Sequence, residues 1–209
     1  MKKILLLSVL TAITLVSCVA PSMLSRYGYA YEYKHRLIGD KTIGDTYKDE
    51  NIEISFAFPK TELDFDLKNL TQNPIKIIWD EVSFVQYGEG KRIFHKGVKY
   101  TERSNPQVPS IVPVGTSYSD LITPIDNVSF DEGYYVNAFA NQPARWVTSD
   151  LWFPNDFNKP ETQSHLIGLK GWKYKLLLPM EINGVKKNYT FEFEITDVNK
   201  FEPQTKPNF

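Results

Sequence analysis

The feature that most constrains the fold is a pair of long alternating runs joined by Asn183-Gly184. An Asn-Gly pair in this position is the signal of a two-residue type I′ turn, because both residues accept a positive φ. The turn fixes the cross-strand partners as Ile182/Val185, Met180/Lys187, Leu178/Tyr189, Leu176/Phe191, Tyr174/Phe193 and Trp172/Ile195. The opposite face then carries the charged pairs Lys173/Glu194 and Lys175/Glu192. A shift by one residue would turn the apolar set toward solvent, so we predict a central hairpin with this register.

The same alternation predicts a second hairpin between residues 52 and 68. Its apolar face holds Ile52, Ile54, Phe56, Phe58, Leu63, Phe65 and Leu67, with a turn at Pro59-Lys60-Thr61. The other face holds Glu62, Asp64, Asp66 and Lys68, which we expect to face water. Asp64 and Asp66 carry the oxygen ligands that calcium prefers. Two carboxylates on the outer face of a strand are more often solvated, and no metal site is predicted.

Further short strands are predicted on both sides of this hairpin. Before it, Tyr27, Tyr29, Tyr31 and Tyr33 alternate as one face of a strand does. Tyrosines suit half-buried pleated surfaces, which favours a strand over a stacking platform for sugars. After it come alternation at Ile75, Ile77 and Trp79, a run from Val82 to Tyr87, a loop at Gly88-Glu89-Gly90 and a strand from Lys91 to His95. This succession of short strands separated by turns is typical of an antiparallel β-sandwich.

The segment from Gly97 to Pro124 is more irregular. Pro106, Pro109 and Pro113 interrupt its apolar residues. Proline cannot donate a hydrogen bond to a sheet, so this spacing favours an edge and a connection over a central strand.

The stretch from Gly133 to Gly171 is rich in aromatic residues and has no sustained period of 2 or 3.6. We therefore expect a long loop without regular structure, and such loops are usually functional. One interpretation is a lid, in which Trp146 to Phe157 folds over one end of the sandwich and fills core volume. The other is an exposed surface for a glycan or a protein partner. The candidate residues for that surface are Tyr134, Tyr135, Trp146, Trp152 and Phe153.

The first eighteen residues determine where the chain resides. Lys2 and Lys3 precede a short apolar run, which is the layout of a secretory signal too short to span a membrane. The junction Leu15-Val16-Ser17-Cys18 resembles the lipobox of bacterial lipoproteins. The resemblance implies cleavage between Ser17 and Cys18 by a peptidase of the signal peptidase II type, then lipidation of Cys18.

An ordinary signal peptide with an incidental cysteine is the alternative. Cys18 is the only cysteine in the chain and lies at the predicted junction, which favours the lipobox. Residue 19 is Val19 and not aspartate. Similarity to known sorting patterns then implies the periplasmic face of the outer membrane in a Gram-negative cell. The predicted partner is therefore the membrane, reached through a lipid anchor at Cys18.

The composition fits an exported globular domain. The formal net charge of −1 gives no indication of nucleic-acid binding. Because its only cysteine is assigned to the anchor, the fold must be held by apolar burial, which 42% hydrophobic residues can supply. We divide the chain into a signal peptide (1–17), a lipidated spacer with the tyrosine-rich strand (18–50), a β-sandwich (51–199) and a flexible tail (200–209).

One stretch of the second hairpin resembles a known class of domains. The run Phe65-Asp66-Leu67-Lys68-Asn69-Leu70-Thr71, followed by Pro74-Ile75-Lys76-Ile77, is similar to a hairpin of immunoglobulin-like accessory domains. Such domains occur in proteins of the water-stress/late-embryogenesis type and in many uncharacterised bacterial lipoproteins. The resemblance implies an immunoglobulin-like sandwich and an accessory role, and it brings no catalytic residues.

The spacing of the polar residues predicts no catalysis, cofactor or metal. His35, His95 and His165 are isolated, and the sequence has no HExxH, G-x-S-x-G, P-loop or dinucleotide-binding pattern. A triad assembled from distant parts of the chain would leave no such mark. The sequence therefore predicts a non-catalytic accessory or protein-interaction module of the cell envelope. The alternative is a glycan-binding module that uses the aromatic residues of 133–171.

Overall fold

The structure, a computed structural model, describes residues 30–137, 140–152 and 167–201. The predictions on the signal peptide, on Ser17 and Cys18, on Tyr27 and Tyr29, on Phe153 and on the tail from residue 202 lie outside the described residues.

The described chain is all-β, as predicted. In chain order its strands are β1 (Ala30–Ile38), β2 (Thr42–Ile43), β3 (Thr46–Lys48), β4 (Ile52–Ala57), β5 (Leu63–Asn69), β6 (Ile75–Ile77), β7 (Ser83–Gln86), β8 (Glu89–His95), β9 (Ser110–Val112), β10 (Ser117–Pro124), β11 (Val128–Asp131), β12 (Tyr134–Asn137), β13 (Ala140–Gln142), β14 (Arg145–Thr148), β15 (Lys173–Ile182) and β16 (Val185–Phe201). Twelve of them form one antiparallel sheet in the order β1-β16-β15-β7-β8-β10-β5-β4-β3-β2, with β6 and β9 attached beside β15.

The sheet folds over so that its two ends face each other. The turning point is β8, because Glu89–Arg92 pairs with β7 whereas Ile93–His95 pairs with β10. Phe56 on β4 packs edge-on against Phe191 and Phe193 on β16, with ring centroids 5.0 Å apart in both pairs. These strands are far apart in the strand order, so the apolar faces of the two halves enclose one core.

The predicted C-terminal hairpin is confirmed in its register. β15 and β16 pair Ile182 with Val185 and continue in step to Lys173 with Glu194. Asn183 and Gly184 have φ values of 51° and 73°, as a type I′ turn requires. The hairpin is central, since β16 pairs with β1 on one side and β15 pairs with β6 and β7 on the other.

The hairpin of β4 and β5 is confirmed as well, with Ile52, Ile54, Phe56, Leu63, Phe65 and Leu67 buried. The loop predicted at Gly88-Glu89-Gly90 is instead a turn at Tyr87 and Gly88, both with positive φ, and the next strand begins directly at Glu89.

The prediction of an edge between Gly97 and Pro124 is right for β9 and wrong for β10. Among the described strands, β9 pairs with β6 alone. Residues Ser117–Pro124 form a strand that pairs with β5 on one side and β8 on the other. The alternation was hidden because Asp120, a charged residue, occupies a buried position of this strand.

A buried asparagine explains the Asn69-Leu70-Thr71 motif. The Nδ2 group of Asn69 donates to the carbonyls of Asn73 and Val112 at 2.8 and 3.0 Å. Its Oδ1 atom accepts hydrogen bonds from the N–H and hydroxyl groups of Thr71. One side chain thus joins the end of β5, the following turn and the edge strand β9.

We predict that Asn69→Ala lowers the free energy of unfolding by about 3 kcal/mol, because it leaves buried carbonyl and N–H groups without partners. Asn188→Ala is the matched control, since Asn188 begins another Asn-x-Thr sequence but is exposed on β16. We expect the control to change stability by less than about 0.5 kcal/mol. Equal losses for the two variants in urea unfolding would contradict this assignment.

Candidate functional site

The aromatic stretch overlaps a hairpin that lies outside the large sheet, which we call the arm (residues 128–137 and 140–148). β11 pairs with β14 at its base and β12 with β13 beyond it. The prediction of no regular structure is therefore wrong for Tyr134–Asn137, Ala140–Gln142 and Arg145–Thr148. The strands are only three or four residues long and are interrupted by a bend, so no period extends far enough to be visible in the sequence.

The bend in the arm depends on Gly133. Its φ of +74° is rarely adopted by other residues, and a Cβ atom here would lie 2.2 Å from the carbonyl oxygen of Gln142. The Asp131 carboxylate fixes the same point, because it accepts hydrogen bonds from the Gly133 N–H and the Gln142 amide at 2.9 and 2.6 Å. The arm thus has a defined shape.

Three of the described rings of the arm face solvent. Phe130, Tyr134 and Tyr135 are 52%, 46% and 73% exposed. Tyr134 and Tyr135 are consecutive on β12, so their side chains lie on opposite faces of the hairpin. Two of the predicted surface residues, Tyr134 and Tyr135, are therefore accessible to a partner, and Phe130 is an accessible ring that the sequence interpretation missed.

Trp146 attaches the arm to the rest of the fold. Its half-buried ring lies 5.2 Å from that of Phe130 and 5.9 Å from that of Tyr100. The Arg103 guanidinium carbon lies 4.9 Å from the centre of the same ring, in a cation–π contact. Trp146 is therefore mainly an anchor between the arm and the turn at 100–103.

Trp152 belongs to the core. It is 4% exposed, and its ring centroid lies 4.7 Å from that of Tyr174 on β15. The neighbouring Leu151 is bonded through its N–H to the carbonyl of Lys60 at 2.8 Å and through its carbonyl to the Gln86 amide at 2.7 Å. Residues 151 and 152 thus close one end of the core, as the lid interpretation has it.

His35 lies among the same rings. It stacks on Phe58 with ring centroids 4.6 Å apart, and its Nδ1 atom lies 2.9 Å from the hydroxyl of Tyr174. Burial raises the pKa of Tyr174 far above its ordinary value, so the phenol keeps its proton at pH 7. Burial also lowers the pKa of His35 to about 4, so the ring is neutral at pH 7.

A second histidine is held by a buried carboxylate. The Asp120 side chain is 1% exposed, and it lies 3.1 Å from Nδ1 of His95. It also accepts hydrogen bonds from the Tyr118 hydroxyl and from the N–H groups of Leu121 and Lys96. Burial alone would raise the pKa of Asp120, but these hydrogen bonds outweigh it and hold the pKa below its ordinary value.

The His95 ring is also held in place by stacking. It stacks on Trp79 with centroids 4.1 Å apart and planes 3° from parallel. Trp79 donates through Nε1 to the Ser110 hydroxyl at 2.8 Å, and that hydroxyl lies 2.9 Å from the hydroxyl of Tyr118. Sequence reasoning treated His95 as isolated because its partners are distant in the chain. The sequence carries no signal for this contact, because the burial of Asp120 on β10 is visible only in the structure, where a buried charge requires hydrogen-bond donors nearby.

His95 opens onto a cleft of about 410 Å³. The lining residues are His95, Lys96, Gly97, Val98, Glu102, Asn105, Pro106, Gln107 and Val108. Glu102 lines the cleft, whereas Tyr100 and Arg103 on the same turn contact Trp146. The cleft and the arm therefore meet at one short segment of the chain.

No metal site is found in the described ranges, where no three His, Cys, Asp or Glu side chains are grouped to hold an ion. Asp66 is exposed and accepts a hydrogen bond from Ser119. Asp64, predicted to face water, is half-buried, and burial raises its pKa. No helix in the part of the chain that the structure describes is long and apolar enough to cross a membrane.

The pKa of His35 predicts a loss of stability in acid. The unfolded chain takes up this proton near pH 6.5 and the folded chain only near pH 4, so the contribution is complete above pH 6.5 and is lost as the pH falls to 4. The loss amounts to at most about 3 kcal/mol. Asp150 contributes the opposite slope, because burial raises its pKa to about 6.

The comparison of wild type with His35→Phe isolates the histidine from Asp150. We expect the free energy of unfolding of the wild type, minus that of His35→Phe, to fall as the pH is lowered from 7 to 4, because only the wild type has a histidine to protonate at this position. A difference that stays constant over this range would contradict the neutral, buried state of His35.

Comparisons with known proteins give no relative for this chain. No family model, no curated protein and no solved structure matches it.

Proposed function

We propose that this chain is a lipid-anchored module of the bacterial cell envelope that binds another envelope protein through the exposed rings of the arm. The observation that carries the proposal is the position of Phe130, Tyr134 and Tyr135, which are solvent-exposed on a hairpin built outside the core. Exposed aromatic side chains lower the solubility of a domain. Aromatic residues are also among those that most often dominate the binding energy of protein interfaces.

We also infer that the fold is a β-sandwich, immunoglobulin-like in the loose sense. The support is the way the two halves of the sheet enclose one core between β4 and β16. The resemblance of residues 65–77 to immunoglobulin-like accessory domains agrees with this class. In that class the sandwich is a scaffold, and recognition depends on what its loops and hairpins present.

The proposed anchor is Cys18, on the strength of the Leu15-Val16-Ser17-Cys18 junction. Each buried methylene of an acyl chain adds about 0.8 kcal/mol, so several chains hold a domain firmly at a membrane surface. The proposed location is the cell envelope, at the periplasmic face of the outer membrane if the cell is Gram-negative. A lipid-anchored domain stays within a short distance of the membrane surface, which favours binding to partners at the same membrane.

The geometry of the arm favours a protein over a glycan as its partner. Sugars stack on one accessible ring face, and the largest ring of the arm, Trp146, is covered by Arg103 and flanked by Phe130. Tyr134 and Tyr135 lie on opposite faces of the hairpin and form no common platform. Rings on both faces suit a partner that surrounds the arm, and a folded protein surface can do so.

The test is crosslinking in intact cells followed by pull-down of the tagged chain. We expect the wild type to enrich one defined envelope protein, and the Tyr134→Ser/Tyr135→Ser variant to lose at least about tenfold of that enrichment. Ile43→Ser is the control, because Ile43 is an exposed apolar residue of β2, which belongs to a different sheet from the strands of the arm. Cys18→Ala should lose both the membrane fraction and the partner.

Two results would contradict the proposal. One is equal enrichment by the tyrosine variant and the Ile43→Ser control, which would remove the arm from the interface. The other is recovery of polysaccharide fragments with no protein, in an amount that falls in the Tyr134→Ser/Tyr135→Ser variant, which would make the arm a glycan site.

A further inference from the structure

We infer that the cleft beside His95 is a binding site for a neutral saccharide, with the His95 ring as a fixed hydrogen-bonding group. This site is separate from the exposed rings of the arm, and it does not depend on the partner proposed for them. The inference is carried by three features of the cleft, which are the orientation of His95, the balance of charge and the mixture of polar and apolar lining.

The first feature is an imidazole whose orientation is set before any ligand arrives. The stack on Trp79 and the contact of Nδ1 with Asp120 leave the ring no freedom to rotate. Because Asp120 is ionised and can only accept, Nδ1 of His95 is the donor in this contact, and Nε2 is the ring nitrogen left for a ligand. No described residue forms a hydrogen bond with Nε2, and the side chain is 14% exposed where it lines the cleft. A side chain that is already oriented loses little conformational entropy when a hydroxyl group, which can donate or accept, binds to it.

The second feature is the charge of the lining. Lys96 and Glu102 contribute one charge of each sign, and Glu102 is further paired with Lys99 at 3.5 Å. A phosphate or carboxylate ligand would meet the glutamate, and a cationic ligand would meet the lysine. The lining therefore favours a ligand without net charge.

The third feature is the mixture of group types. The side-chain amide of Asn105 offers donors and an acceptor, and among the described residues it forms no hydrogen bond. Val98, Pro106 and the exposed Val108 supply an apolar wall. Hydroxyl groups around the rim of a ring and C–H groups on its faces are the complement of such a lining. A neutral sugar ring has both.

The floor of the cleft is rigid. Gln107 is buried, its amide donates to the Ile93 carbonyl at 2.7 Å and its oxygen accepts from the His95 N–H at 3.2 Å. Its own N–H donates to the Asp80 carboxylate at 2.8 Å. The volume of about 410 Å³ lies at the small end of ligand sites and suits one or two sugar rings.

The test is isothermal titration of the purified full chain in detergent with maltose, cellobiose and N,N′-diacetylchitobiose. Glucuronate and inorganic phosphate serve as charged probes. We expect at least one neutral disaccharide to bind saturably with a Kd below about 10 mM, and both charged probes to bind with a higher Kd. Asn105→Ala should lower the affinity about tenfold, because the ligand loses its hydrogen bonds to the amide.

Further variants separate the outcomes. His95→Phe keeps a ring on Trp79 but removes Nε2, and it should lose affinity as Asn105→Ala does. His95→Phe also removes a donor to Asp120 and can impair folding. If His95→Phe is unfolded, the affinity of Asn105→Ala alone tests the inference. Asn188→Ala should bind as wild type does, and so should Tyr134→Ser/Tyr135→Ser. The inference is overturned if no neutral disaccharide binds, if a charged probe binds more tightly, or if Asn105→Ala leaves the affinity unchanged.

Discussion

The packing of Phe56 against Phe191 and Phe193 is the contact on which the rest of the structure depends. It joins β4 and β16, which lie toward opposite ends of one sheet, and so converts a twisted sheet into a closed core. Burial of one such ring contributes about 1.5–3 kcal/mol, and a chain with a single cysteine has no disulfide of its own to replace that contribution. The register of the C-terminal hairpin matters for the same reason, since a one-residue slip would move Phe191 and Phe193 to the outer face.

Once the core is closed, similar aromatic residues from one stretch of sequence have three different environments. Trp152 fills the end of the core beside Tyr174, Trp146 holds the base of the arm, and Tyr135 faces solvent. The core does not need the exposed rings, which is why they are the part of the fold most available for recognition. His95 shows a similar division, because one side of its ring is fixed by Trp79 and Asp120 while the ring also lines a cleft.

The hairpins could be predicted from the sequence because their information is local. Asn183-Gly184 sets the turn and the alternation sets the buried face. β10 was missed because Asp120 breaks the alternation, and its burial makes sense only with His95, which lies on a different strand. The separation of Trp152 from Trp146 could not be predicted either. It follows from contacts with Tyr174 on one side and Arg103 on the other, and no local pattern encodes those distances.

The division of the aromatic residues between core and surface is most directly tested by ¹⁹F NMR of the chain labelled with 5-fluorotryptophan. The four tryptophan signals would be assigned by single Trp→Phe substitutions, and their shifts compared in H₂O and D₂O. The structure predicts no solvent shift for Trp79 and Trp152, a partial shift for Trp146 and the largest shift for Trp172, which is 41% exposed. A shift at Trp152 as large as that at Trp172 would contradict the closed core, and with it the assignment of recognition to the arm.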